Sequence, residues 1–123
     1  MTRPARKPDL IVNFSLTALR VDGSLKRVLS GYRPIYKMRP DYWSSAHHEF
    51  IETAGVETGK QSLAEVWLLS PEMYPNTLWR GRHVEVAEGS RIVGIADIVE
   101  ILNPLLESTG SDATSLTKSF GRP

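Results

Sequence analysis

The residues best suited to chemistry lie between Tyr32 and Glu49. Tyr32-Arg33-Pro34-Ile35-Tyr36-Lys37-Met38-Arg39, followed by Tyr42-Trp43, interleaves cations with aromatic rings. On an extended segment Arg33, Lys37 and Arg39 fall on one face. Such a stripe can track phosphates while flanking rings stack on bases; the alternative is a solvated cationic face over core aromatics. Trp79-Arg80-Gly81-Arg82 is a smaller patch of the same kind. His47-His48-Glu49 is the only place where metal-capable side chains cluster. Adjacent strand residues point to opposite faces, so His47 and His48 cannot share an ion. His47 and Glu49 share a face, but two ligands do not make a structural site. No metal is expected there: one ring should pack and the other should face solvent.

Nucleophilic catalysis finds little support. The chain has no cysteine and no Gly-x-Ser-x-Gly elbow. Ser44 and Ser45 lie close to His47 and His48, but the sequence supplies neither an orienting partner nor an oxyanion hole. Gly55-Val56-Glu57-Thr58-Gly59-Lys60 is too short for a phosphate-cradling loop and is followed by Gln61. The expectation is therefore no catalytic residue, no bound nucleotide and no cofactor.

Several segments must position the aromatic-cationic stretch. Leu10, Val12, Phe14, Leu16 and Ala18 alternate with their neighbours, which places one apolar face on a strand. Leu63 to Leu69 is short, apolar and bounded by Gly59 and Ser70-Pro71. Arg91 to Leu102 is rich in β-branched residues, which suit a pleated surface. Arg82 to Ala87 and Arg91 to Gly94, joined by Glu88-Gly89-Ser90, read as an antiparallel hairpin. Gly94 falls mid-strand, where glycine marks a bulge or a close backbone approach. Turns are expected at Val21 to Ser24 and at Ala54-Gly55. No long window has a helical period, and Asn103 to Glu107 adds one turn at most. This pattern predicts an all-β sandwich or small barrel.

The ends differ from the middle. Residues 1–8 and 108–123 have little to bury and read as flexible tails around a folded unit at 9–107. Fifteen basic and fourteen acidic residues leave a net charge of +1. Removing Arg3, Arg6 and Lys7 leaves twelve basic against fourteen acidic, so the folded unit is not basic. With no apolar run approaching the ~20 residues of a membrane span and no secretory leader, a cytoplasmic protein without a membrane partner is expected.

The order of segments resembles a known family. Gly31-Tyr32-Arg33-Pro34 precedes a strand. Later come a Leu-rich strand ending in Ser70-Pro71, then Gly81-Arg82, Glu88-Gly89-x-Arg91-x-Val93-Gly94, and Val99 to Leu102. The set is similar to the C-terminal β-barrel, domain three, of elongation factor Tu and its relatives, and covers nearly all of residues 9–107. The resemblance implies a six-stranded closed antiparallel β-barrel and a non-catalytic role, because the family's nucleotide site lies in a separate domain. In that family the barrel binds the T-stem backbone of aminoacyl-tRNA, its own GTPase domain and an exchange factor. Ile92 replaces the family's threonine in Arg-Thr-Val-Gly, and Thr58-Gly59-Lys60 stands for its Pro-Gly-Asp. Some of these departures fall on contact positions.

Residues and resemblance together lead to the expectation of a stand-alone binding module whose partner is a protein, with tRNA as the alternative. The expected binding residues are Tyr32, Arg33, Lys37, Arg39, Tyr42, Trp43, Arg91 and Gly94. A contiguous face of Arg33, Lys37, Arg39, Arg80, Arg82 and Arg91 would favour RNA; carboxylates among them would not.

Overall fold

The computed structural model describes residues 4–108; residues 1–3 and 109–123, most of the two expected tails, lie outside that range. Eight strands form: β1 (Leu10–Leu16), β2 (Arg27–Leu29), β3 (Ile35–Arg39), β4 (Tyr42–Phe50), β5 (Gly55–Glu57), β6 (Gln61–Leu68), β7 (His83–Glu88) and β8 (Arg91–Ile101). Six of them close a barrel in the order β1-β6-β4-β3-β7-β8, with β8 returning to β1. Every pairing in it is antiparallel. Strands β2 and β5 form a separate two-stranded ribbon. The only helical pieces among the described residues are 3-10 turns at Pro71–Met73 and Pro104–Leu106, the second where one turn was expected.

Alternation builds the core. Leu10, Val12, Phe14 and Leu16 point inward from β1 and are fully buried. They meet Val66 and Leu68 of β6, Tyr36 and Met38 of β3, and Val84 and Val86 of β7. A six-stranded barrel is narrow enough for side chains alone to fill it. The β7–β8 connection is tighter than expected: Glu88 pairs with Arg91, leaving Gly89-Ser90 as a two-residue turn. Gly89 has φ 61°, and glycine at the first central position is what a type II′ hairpin requires. The turn expected at Ala54-Gly55 comes earlier, because Gly55 already opens β5.

Asp9, just before β1, ties three strands at one end of the barrel. Its buried carboxylate accepts the Leu68 amide at 2.8 Å, the Asn103 side-chain amide at 2.9 Å and the Arg6 guanidinium at 3.0 Å. Its carbonyl accepts the Leu102 and Asn103 amides. Arg6 also donates to the Leu68 carbonyl at 2.5 Å, and the Trp67 indole donates to the Arg6 carbonyl at 2.7 Å. This part of the basic segment is thus held against β6. Replacing Asp9 by Ala strands buried donors, so urea unfolding of Asp9→Ala should show a loss of about 2 kcal/mol. A loss below a few tenths would show that these donors find water instead.

Candidate binding surface

Two of the three exposed aromatic residues among the described ones, Tyr42 and Trp43, lie where β3 turns into β4; the third is Trp79. Lys37 points outward from β3, makes an ion pair with Glu85 of β7 at 3.2 Å, and lies 4.9 Å from the Trp43 ring centroid. Tyr42 is 59% exposed and Trp43 37%. The Trp43 indole reaches the Pro40 carbonyl at 3.4 Å, while its own carbonyl accepts the Tyr74 hydroxyl at 3.1 Å. That second bond draws the Pro71–Met73 turn towards the hairpin. Leu69 (72% exposed) pairs through its amide with Ser45, two residues along β4 from Trp43, and Met73 is 65% exposed. Arg39 ends β3 and lines a shallow cleft with Arg82, His83 and Glu85.

The remaining expected residues do not join this group. Tyr32 is a structural ring: it packs on Phe14 and His48, and its hydroxyl donates to Glu88 at 2.6 Å. Burial, with Glu88 adding to it, pushes that phenol well above its ordinary pKa. Arg33 is exposed and lies beside His47, as the Tyr32–His48 bridge dictates. Arg91 sits at the β7–β8 turn, bonded to the Leu19 carbonyl at 2.5 Å. The six residues of β7, roughly 20 Å of strand, separate that turn from the β3–β4 end. Gly94 is buried against β1. A Cβ there would collide with the Ser15 carbonyl and stand 2.9 Å from the Phe14 ring. Its missing side chain therefore makes room for a strand.

Carboxylates pair with several of the cations. Glu85 pairs with Lys37, Glu88 with Lys26 at 3.0 Å, and Asp97 with His83. Burial alone would raise the Glu88 pKa; hydrogen bonds from Tyr32 and Lys26 and the nearby cations outweigh it and hold the carboxyl low. Arg82 spends its guanidinium on the Thr77 and Met38 carbonyls and stacks over Trp79 at 5.2 Å. Burial lowers its pKa. Arg82 therefore braces the barrel, and Arg80 reaches the Val99 carbonyl at 3.3 Å. In the second aromatic-cationic patch Arg82 is thus structural, while Trp79 and Arg80 are exposed.

The two histidines split as strand geometry demands, yet neither is solvated, a correction to the expectation of one exposed ring. His48 points into the barrel, and its Nε2 shares a hydrogen bond with the Tyr36 hydroxyl at 2.7 Å. Burial first, with the neighbouring His47 adding, pushes its pKa down to about 3, so the ring is neutral, and its Nδ1 has no hydrogen-bond partner. His47 points outward but is covered, with its ring edge-on to Trp67 and Nε2 2.6 Å from the Glu49 carboxylate. The Glu49 contact is an orienting partner that the sequence did not reveal. No group of three or more His, Asp or Glu that could hold a metal exists among the described residues, and none of their helices is long and apolar enough to cross a membrane. No protein-family model matches the chain, and no curated protein matches it either.

Proposed function

We propose that this chain is a non-catalytic binding module that docks onto another protein through the β3–β4 end of its barrel. The observation that carries this reading is the exposed aromatic pair Tyr42-Trp43, with Leu69 and Met73 beside it and one ion pair at its edge. Aromatic and Met side chains flanked by charge are the composition of an interface centre with its rim. The closed six-stranded barrel is the fold implied by the resemblance to domain three of elongation factor Tu, whose role is likewise to bind. Interleaved carboxylates count against the tRNA alternative, since a polyanion is held by cations that act together.

The test compares the wild-type protein with a Tyr42→Ser/Trp43→Ser double variant in affinity capture from native cells. The substitutions lie on exposed positions, so the variant should keep the wild-type circular dichroism spectrum. One protein retained in near-stoichiometric amount by the wild type, and lost by the variant, is the expected result. Equal capture by both would remove the hairpin from the interface. Filter retention of bulk tRNA that falls steeply between two salt concentrations would replace this reading with the RNA one.

A further inference from the structure

A cleft beside the hairpin has a chemistry that three other clefts of the described residues lack. It encloses about 390 Å³ between the N-terminal segment and the outer face of β4 and β6. Trp67, Leu69 and Pro4 supply apolar walls, and His47 lines it as well. Arg33 and Arg6 supply charge. The cross-strand pairing sets this order: Trp67 lies opposite His47, and the Tyr32–His48 bridge brings Arg33 to the other side of His47. Among the described residues no Asp or Glu lines this cleft. Three other surface clefts are each lined by at least one carboxylate: Glu52 and Glu57, Asp22 and Glu88, or Glu85.

We propose that this cleft binds a small organic anion, an apolar body carrying one carboxylate. Arg6 is fixed by Asp9 and the Leu68 carbonyl, so it shapes the rim and contributes field. The Arg33 guanidinium is exposed and has neither an ion pair nor a hydrogen bond among the described residues. Its planar fork can take both oxygens of one carboxylate. The Trp67 and Leu69 walls then cover the body of the ligand, as a mostly apolar pocket with a few placed polar groups does. The volume, near the lower end of the range for small-molecule pockets, leaves room for such a ligand. Glu49, which engages His47 just outside the lining, disfavours a dianion.

The inference does not rest on the docking reading: it uses Arg33 and the cleft, neither Tyr42 nor Trp43, and shares only Leu69 with that surface. Its test is a titration of the protein with benzoate and with hexanoate, followed by amide and indole NMR shifts. Benzamide and inorganic phosphate serve as the uncharged and the body-free probes. At least one of the two carboxylates should saturate with a roughly millimolar Kd, shifting the Trp67 indole and the Arg33 and His47 amides. Benzamide and phosphate should bind at least about tenfold more weakly, and Arg33→Gln should weaken the carboxylate by about tenfold. Lys60→Gln, at the other end of β6, should change nothing. Failure of both carboxylates to saturate overturns the proposal. Equal binding of benzamide overturns its charge, and equal binding of phosphate its apolar body. An unaltered affinity in a folded Arg33→Gln overturns the assignment of Arg33.

Discussion

Gly94→Val should lose about 4 kcal/mol of stability, a large share of the roughly 5–15 kcal/mol that holds a domain together. The cause is the approach of β8 to β1, where Gly94 pairs with Leu16. A Cβ at this position meets the Ser15 carbonyl and the Phe14 ring. The carbonyl belongs to a strand that is bonded on both sides, so it cannot move without loosening the β1–β6 and β1–β8 ladders together. Phe14 has little room either, because it packs against His48, Tyr32 and Phe50. Gly94→Ala should lose somewhat less and Gly94→Val most, read as urea midpoints at neutral pH. Wild-type stability in both would mean that β8 and β1 are not packed so closely, and would reopen Gly94 as a ligand contact.

Acid should destabilise the barrel through His48 before most carboxylates titrate. In the unfolded chain this imidazole takes a proton near pH 6.5; in the folded barrel it stays neutral until about pH 3. Within that window the unfolded state holds the extra proton, so stability rises with pH and falls as pH drops from 6.5 towards 3. The whole window is worth on the order of 5 kcal/mol. The Tyr36 hydroxyl that meets Nε2 is itself held neutral by burial and offers no charge to offset a protonated ring. Imidazole carbon shifts of His48 should stay constant from pH 8 to pH 4, while the urea midpoint declines below pH 6.5. A His48 titration with a midpoint near 6 would contradict this.

What the sequence disclosed, and what it hid, follows from the range of the interactions involved. The strand β1 and the β7–β8 hairpin are written locally, in the alternation from Leu10 to Leu16 and in Glu88-Gly89-Ser90-Arg91. The ribbon β2–β5 is hidden because three-residue strands carry no period. Strand β4 is hidden because Ser44 and His48 occupy buried positions where an apolar pattern would place Val or Leu. His48 is acceptable inside only because Tyr36, twelve positions away, meets its Nε2.

The candidate surface was half legible for the same reason. Tyr42 and Trp43 are exposed as a binding role requires, and Lys37 reaches Trp43 from the neighbouring strand. The pairing of Lys37 with Glu85 is a cross-strand contact that spacing along the chain cannot show. Tyr32, Gly94 and Arg82 carry the same residue types as ligand contacts but serve the barrel itself. The acid-free cleft leaves almost no local pattern, because Arg6, Arg33, His47 and Trp67 meet there from distant segments. Its one local signal was an aromatic, Trp67, at an outward-facing position of β6.

The docking surface can be tested most directly by placing the photo-crosslinking residue p-benzoylphenylalanine at Tyr42 or, in a second protein, at Leu63, which is exposed at the other end of the barrel. Irradiation in native cells should give one discrete protein adduct from position 42, none from position 63, and loss of the adduct when Trp43→Ser is added. Adducts of equal yield from both positions, or an adduct to RNA from position 42, would contradict a protein-docking β3–β4 end.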